Sequence, residues 1–502
     1  MTMPAFLEKA IVCGFFIAIV FTALALGTVE SWSVALFELI VVALLALWAI
    51  KIVLDRGVKI RLPKMVLPLV ALLGLGLIQS LAFESDEGRR IGLSMDIEAT
   101  RAAVTVLFFL LASFIVAINF FTSRGRLLTI ANFLAIYGLA LAMFALIQYF
   151  TWNGKFFWFR PNTSNAASFG SFVNHNNFAG YMEMLIPIPV AMITTRAVRF
   201  EARLFYAFAA ALMGLALVVS LSRGGMIALG AEMIFILVWS SRARGTDVVR
   251  GERTNRFALP KKAGAVGAIG VAILAGIIWI GPDKIVGRIA NSGEKGETFY
   301  TNRGWIWQDT LSMIASNPIL GVGLGAYETA YPIYSHGDGR LRVEFAHNDY
   351  LQILADGGII GGVIAVAFLV IFARTFWRGL NAPDPLVRGI ALGGGAGIFA
   401  LLVHSMLDFN LQIPSNALLF LFLSAAVASA ASFAPSAAKR SQATQHAVRE
   451  FSVPATAAMS GTPVRPGSES RSVDAPSNSE APKTDPSPTI HMAPLDDYTS
   501  AD

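Results

Sequence analysis

The sequence predicts an all-α polytopic membrane protein with about twelve transmembrane helices and a large periplasmic loop between the ninth and tenth. Three observations lead to this prediction. The 502-residue chain is 55% hydrophobic and 14% charged, with a mean hydropathy of +0.61, as is typical of membrane-embedded chains. Apolar segments long enough to span a bilayer recur as far as residue 434. Lys and Arg gather in every second connection between these segments.

The apolar segments are each roughly 18 to 24 residues long, the length that a helix needs to cross about 30 Å of hydrocarbon. The first begins near Ala10 and has no clear small-residue cleavage site, so we expect an uncleaved span and no signal peptide. The twelve predicted spans are 9–27, 32–54, 63–82, 102–121, 127–150, 177–196, 203–221, 224–241, 262–281, 356–377, 386–407 and 415–434.

The basic residues predict how the spans are oriented, because Lys and Arg in short loops stay on the cytoplasmic side. Every even-numbered connection is basic, for example the fourth with Arg124 and Arg126. Both termini are therefore expected in the cytoplasm. The odd-numbered connections expected in the periplasm or at the cell exterior include 83–101, 151–176 and the long loop 282–355.

Composition also excludes some functions. The net charge of +6 does not indicate nucleic-acid binding, because the basic residues lie in short loops beside apolar segments. Cys13 is the only cysteine, so no intramolecular disulfide is expected. Ser, Pro, Ala and Thr dominate after residue 434 without apolar periodicity. We therefore expect 1–434 to form the transmembrane domain and 435–502 a disordered cytoplasmic tail.

The loop 282–355 carries signals for a helix and a tight turn. An amphipathic helix is expected from Trp305 to Ser316. It should end there because Asn317 precedes a proline, and residues before proline are forced out of the helical region. The glycines that follow predict a tight turn in which the backbone approaches a neighbour closely. These glycines are Gly321, Gly323 and Gly325.

The end of the loop predicts a second helix start and a hinge. Asn348 or Asp349 can cap a short helix that runs to Ala355. The pair Gly357-Gly358 then offers a hinge into the tenth span.

Two arginines on the predicted outer side are candidates for binding an anion. Arg223 lies in SLSRGG, where it either reaches the lipid headgroups or a loop carboxylate, or binds phosphate beside Gly224-Gly225. Arg303, taken alone, is better explained as a solvated loop residue. If the loop folds back over Arg223, the two guanidinium groups can hold a pyrophosphate together.

His347 is the candidate general base, since a neutral imidazole accepts a proton near pH 7. The alternative is a histidine at a helix start that satisfies backbone groups. Further polar residues at the outer ends of spans can bind sugar hydroxyls or cap helices, and capping is the role we expect for Asn416. Neither HExxH nor CxxC spacing occurs, so we expect no metal. The further candidates for substrate binding are His175, Asn176, His404 and Asp408.

Four motifs resemble the O-antigen ligase and polymerase superfamily, which are membrane glycosyltransferases of the C type. They are SLSRGG, TNRGWIWQDTLSMIASNPILGVGLGAY, AHNDYLQILADGG and HSMLDFNLQIPSNALLF, in this order. The resemblance is strongest over 165–425; the segments before it are similar only in hydropathy.

The resemblance implies a polytopic fold with a large late periplasmic loop, a glycan donor carried on undecaprenyl pyrophosphate, and inverting transfer without a metal or cofactor. By motif, Arg223 and Arg303 would bind the donor pyrophosphate, and His347 would activate or position the acceptor hydroxyl. The resemblance assigns no role to His404 and Asp408.

Three acceptors fit the resemblance equally. A ligase joins O-antigen to lipid A core, a polymerase lengthens O-antigen or exopolysaccharide repeats, and an oligosaccharyltransferase glycosylates proteins. We expect the first, with the others as alternatives. A flippase for lipid-linked sugars is the alternative of another class, but the ionisable residues gather at one face and the two halves do not match.

Overall fold

The computed structural model describes residues 3–55, 59–84, 90–162, 168–242, 264, 267–271, 273, 275, 292–336 and 342–434. The predicted tail 435–502 lies outside them. The helices within the described residues are α1 Met3–Leu24, α2 Ser31–Leu54, α3 Val66–Gln79, α4 Ile97–Phe120, α5 Arg124–Phe150, α6 His175–Leu185, α7 Pro187–Thr194, α8 Phe200–Val219, α9 Arg223–Arg242, α10 Ser292–Ser316, α11 Tyr327–Tyr334, α12 Asp349–Leu380, α13 Pro385–His404 and α14 Pro414–Ser432.

Strands are short and few in this part of the chain. β1 Ala82–Glu84 pairs antiparallel with β2 Arg90–Gly92, and β3 Lys155–Phe156 pairs antiparallel with β4 Arg160–Pro161. Short 3₁₀ helices cover Leu26–Thr28 and Asn410–Gln412.

The all-α polytopic prediction is confirmed. Nine of the described helices are long and apolar enough to cross a membrane. The third predicted span is the 14-residue helix α3. The sixth is divided into α6 and α7, because Pro187 has no backbone N–H to continue the first helix. The ninth, 262–281, lies largely outside the described residues.

Ion pairs join several of the connections that are predicted to be cytoplasmic, and these pairs lie at one end of the helices. Lys51 at the end of α2 lies 3.3 Å from Glu8, which also pairs with Arg126 at the start of α5. Arg124 Nε lies 2.8 Å from Asp384, just before α13. The 20 residues of α13 then extend about 30 Å from this end. His404, at the other end of α13, therefore lies far from the basic connections.

Helix α13 occupies the centre, where small residues let neighbouring backbones come close. A Cβ at Gly393 would lie 2.9 Å from the Cα of Ile188, and one at Gly397 would lie 2.8 Å from the carbonyl oxygen of Met184. Close contact between small residues is a main source of helix association in lipid, because apolar side chains gain little there by leaving the solvent.

The predicted glycine turn lies against the transmembrane helices, and its three glycines have the positive φ values expected of a tight turn: Gly321 +71°, Gly323 +115° and Gly325 +78°. Gln79, the last residue of α3, is buried and its amide nitrogen donates to the carbonyls of Leu320 and Asp356, at 2.6 and 2.9 Å. Its amide oxygen accepts from the Leu324 backbone N–H at 3.0 Å. These bonds connect the loop that carries the glycine turn to α3 and α12.

The predicted end of the first loop helix, the start of the second and the hinge are confirmed, but the first helix begins at Ser292 and not at the predicted Trp305. Helix α10 ends at Ser316, directly before Asn317. The Asn348 side chain accepts from two backbone N–H groups of the first turn of α12. The expected short helix is continuous with the tenth span, and Gly358 bends the helix with φ +61° and ψ −161°.

We predict that Gly358→Ala destabilises the protein, because its backbone conformation is essentially restricted to glycine and an added Cβ would overlap the carbonyl of Ile319. The strain costs of order 1–3 kcal/mol, so the melting temperature of the purified protein should fall by about 2 to 5 °C. Gly357→Ala is the matched control, since its Cβ would meet nothing closer than 3.4 Å. Equal melting temperatures for the two variants would contradict the prediction.

Candidate functional site

Asp408, in the connection between α13 and α14, is the centre of a buried polar cluster. Its side chain is 1% exposed and gathers groups from three distant parts of the chain. Asn176 Nδ2 donates to Oδ2 at 2.5 Å, and a guanidinium nitrogen of Arg303 lies 3.6 Å from the same oxygen. His347 Nδ1 lies 3.5 Å from Oδ1, which also accepts from the Phe409 backbone N–H. The structure thus brings together four of the predicted site residues.

The electrostatic surroundings keep Asp408 ionised. Burial alone would raise the pKa of this carboxyl, but the neighbouring His347 imidazole and the positive charge of Arg303 outweigh burial and lower its pKa to about 2. Asp408 is therefore a carboxylate at neutral pH, and its negative charge is available to orient the two groups beside it.

Arg303 is held in place by more than the ion pair. Its guanidinium also donates to the carbonyl oxygen of Leu407, and its side chain is only 12% exposed. The ion pair with Asp408 and the hydrogen bond to Leu407, two neighbouring residues of one connection, hold the guanidinium against that connection. The alternative of a freely solvated loop residue is therefore wrong for Arg303.

His347 immediately precedes the cap of α12 and has an unusual backbone. Its φ is +50°, in the left-handed region that residues other than glycine seldom adopt. The edge of its ring packs on Phe409, with 4.8 Å between centroids, and the side chain is 31% exposed. Nδ1, and not Nε2, is the ring nitrogen recorded close to the Asp408 carboxylate. Backbone strain of this kind is typical of functional sites.

Several helices begin around the connection that carries Asp408. The first residue of α6 is His175, and Asn174 caps this helix by accepting from the Asn176 N–H. The backbone N–H of Asp349, the first residue of α12, donates to the carbonyl of Ser405 at 2.9 Å. Helix N-termini have positive partial charge, so two of them beside this connection favour an anion at this end.

Arg223 is the first residue of α9. The start of α9 packs on His404, at the same end of α13 as the connection that carries Asp408. A Cβ at Gly224 would lie 2.6 Å from His404 Nε2, so this histidine packs directly on the first turn of α9. Arg223 is half-buried. Within the part of the chain that the structure describes, its guanidinium makes no hydrogen bond or ion pair.

His404 and Asn416 differ from their sequence-based predictions. His404 is 1% exposed and its Nδ1 lies 3.0 Å from Glu183 Oε2, so it lies behind the first turn of α9 and away from a substrate-accessible surface. Asn416 is not a cap, because α14 begins after Ile413 without a side-chain cap. Its amide instead donates to the Asn177 carbonyl at 3.0 Å and connects α14 to α6.

Sequence reasoning missed two buried carboxylates, Glu183 in α6 and Glu232 in α9. Both are fully buried, and Glu183 is the partner of His404. A signal was present in the sequence, because an acidic residue inside an apolar span is costly and often functional. Among the described residues no group of three His, Cys, Asp or Glu side chains has the arrangement of a metal site. Metal independence stays a prediction.

Residues 208–366 match the sequence model of a protein family described as O-antigen ligase. This match confirms the family resemblance. The O-antigen ligase segment contains Arg223, Arg303 and His347, whereas Asn176 and Asp408 lie outside it. No curated protein matches the chain. Together with the apolar helices, the O-antigen ligase match supports a multi-pass membrane protein with a glycosyltransferase-like ligase or polymerase function.

We predict that Asp408→Asn lowers the melting temperature at pH 7 by about 5 °C, because it removes the buried negative charge that pairs with the largely buried Arg303. The pKa of Asp408 is 3.8 when unperturbed and about 2 in the fold. The stabilisation by the carboxylate is therefore present above pH 3.8 and lost as the pH falls towards 2. The difference in melting temperature between wild type and Asp408→Asn should be constant above about pH 5 and become smaller below about pH 4.

Thermal unfolding followed from pH 7 to pH 3 checks this prediction. Asp55→Asn is the control, because Asp55 is 44% exposed in its pair with Lys51 and such pairs contribute little. A difference in melting temperature between wild type and Asp408→Asn that stays the same down to pH 3 would contradict the prediction.

Proposed function

We propose that this protein transfers a glycan from an undecaprenyl-pyrophosphate carrier to a sugar hydroxyl at the periplasmic face of the bacterial inner membrane. The observation that carries the proposal is the convergence of Arg303, His347 and Asn176 on the buried carboxylate of Asp408. The acceptor we propose is the lipid A core, as in O-antigen ligation.

The donor diphosphate would bind where positive charge is concentrated. Arg303 is pre-oriented by Asp408 and Leu407, and the half-buried Arg223 makes no ion pair within the described residues. Guanidinium groups match phosphate oxygens with paired donors, and the nearby helix N-termini add further N–H groups. These groups would neutralise the charge that develops on the leaving diphosphate.

His347 would take the acceptor proton. Asp408 beside Nδ1 leaves the lone pair on Nε2, and stabilises the imidazolium that forms when Nε2 accepts a proton. The acceptor oxygen attacks the anomeric carbon as the bond from that carbon to the diphosphate oxygen breaks, which inverts the configuration. The proton goes to His347 and the electron pair to the lipid diphosphate.

The position of the basic residues supports a periplasmic site. Lys51, Arg124 and Arg126 meet at the end of the bundle opposite His404. If these residues are cytoplasmic, as the charge rule requires, Asp408 and its partners face the periplasm, where the lipid-linked glycan and its acceptor would meet.

We predict that Arg223→Ala, Arg303→Ala and His347→Ala each reduce glycan transfer by at least about 100-fold, because each removes a charge or base used in the transition state. Transfer is measured with purified protein, undecaprenyl-pyrophosphate-linked glycan and lipid A core, by release of the lipid diphosphate. A lipid A core product supports ligation. Lengthened glycan or glycosylated protein would support the polymerase or the oligosaccharyltransferase instead.

The controls are an arginine and a histidine elsewhere in the loop 282–355. Arg342→Ala removes an exposed arginine paired with Glu328, and His336→Ala removes an exposed histidine paired with Asp309. Both should retain near-normal transfer. Near-normal transfer by the three site variants would refute the site assignment. Movement of the glycan across vesicles without cleavage would instead support a flippase.

We also predict that transfer continues in excess EDTA, within about twofold of its rate without chelator, because the arginines would take the charge-neutralising role that a divalent ion fills in other enzymes. Loss of transfer that Mg²⁺ or Mn²⁺ restores would overturn the metal-free mechanism.

A further inference from the structure

Glu183 and His404 form a buried pair between α6 and α13. The Glu183 Oε2 atom lies 3.0 Å from His404 Nδ1, and their side chains are 0% and 1% exposed. A buried histidine and carboxylate in this contact are costly to separate, because either group would then be left without a partner in a low-dielectric interior. The imidazole therefore has one well-defined position, which its chain neighbours alone would not impose.

The other side of the imidazole packs on the first turn of α9. A Cβ at Gly224 would lie 2.6 Å from His404 Nε2, and Ser222 Oγ lies 3.5 Å from the same nitrogen. Ser222 Oγ also accepts from the Gly225 backbone N–H at 3.2 Å, within the first turn of α9. Only glycine at 224 leaves room for this contact.

A second contact confirms that α6 and α9 are tightly packed here. A Cβ at Gly225 would lie 2.6 Å from the Cβ of Ala179. Glu183 is one turn further along α6 than Ala179 and so lies on the same face. The start of α9 is therefore confined between α6 and the imidazole. Arg223 lies between Ser222 and Gly224, the two residues in contact with His404.

We propose that His404, held by Glu183, is a positioning residue that sets the start of α9 and thereby aims the Arg223 guanidinium at the diphosphate. This inference rests on the proposed function and adds a role for two residues that do not touch the substrate. His404 would affect donor binding only indirectly, by setting the position of Arg223. A change in its contact with α9 should therefore affect donor affinity more than the chemical step.

The test adds one methyl group at the contact. Gly224→Ala forces the imidazole or the helix start to move, whereas Gly230→Ala adds the same methyl to the same helix where a Cβ meets nothing within 4 Å. We expect the Kd for inorganic pyrophosphate, measured by calorimetry, to rise roughly tenfold in Gly224→Ala. Gly230→Ala should bind as the wild type does. In transfer assays, the donor KM should rise while kcat stays within about threefold.

A double-mutant cycle attributes the effect to His404. In a His404→Ala background the methyl at position 224 has room, so Gly224→Ala should cause no further rise in the pyrophosphate Kd. If His404→Ala does not accumulate in the membrane, the background is His404→Asn, which is shorter and can still donate to Glu183. The same rise in both backgrounds would overturn the proposal, as would equal Kd values for Gly224→Ala and Gly230→Ala.

The two proposals fail differently. Wild-type protein that binds pyrophosphate but transfers no glycan would refute the proposed function and leave the role of His404 standing, provided that the cycle shows coupling. Transfer by the wild type with no coupling in the cycle would refute the role of His404 alone. Wild-type protein that binds no pyrophosphate at millimolar concentration would overturn the positioning proposal, because there would be no anion for Arg223 to meet.

Discussion

The charge on Asp408 is the constraint on which the site depends. A carboxylate that is 1% exposed is stable only when cations and N–H donors replace the water that it has lost. Here those partners are Arg303 of α10, His347 just before the cap of α12, and Asn176 at the start of α6. Asp408 therefore links chain segments more than 200 positions apart. Its partners gain defined orientations from the same contacts.

The surrounding fold brings these segments to one end. Gln79 connects the glycine turn at residues 321–325 to α3 and α12. The bend at Gly358 separates the first turns of α12, which touch the α13–α14 connection, from the part that crosses the membrane. Small residues along α13 let α6 and α7 approach its backbone. The site is thus supported by rigid contacts on several sides, which suits a reaction that needs fixed charges.

Inside the bundle, one acidic residue and one histidine form a buried pair. Glu183 and His404 lie between apolar helices, with Glu183 Oε2 3.0 Å from His404 Nδ1. The same imidazole packs on the start of α9 at Gly224, the residue that follows Arg223. Ionisable groups inside a membrane-spanning bundle are costly unless they are paired. This cost is a physical reason for Glu183 and His404 to stay in contact.

The sequence by itself determined the features that depend on local chemistry. The approximate positions of most spans follow from hydropathy, and the ends at Asn317 and Asn348 follow from proline sterics and side-chain capping, which involve only neighbouring residues. The predicted topology and side-chain chemistry singled out Arg223, Arg303 and His347, and the motif resemblance implied a role for each. Only the tertiary structure decided that Asp408 joins Arg303 to His347 and that Glu183 holds His404. Those pairings depend on how distant helices pack, which no local pattern encodes.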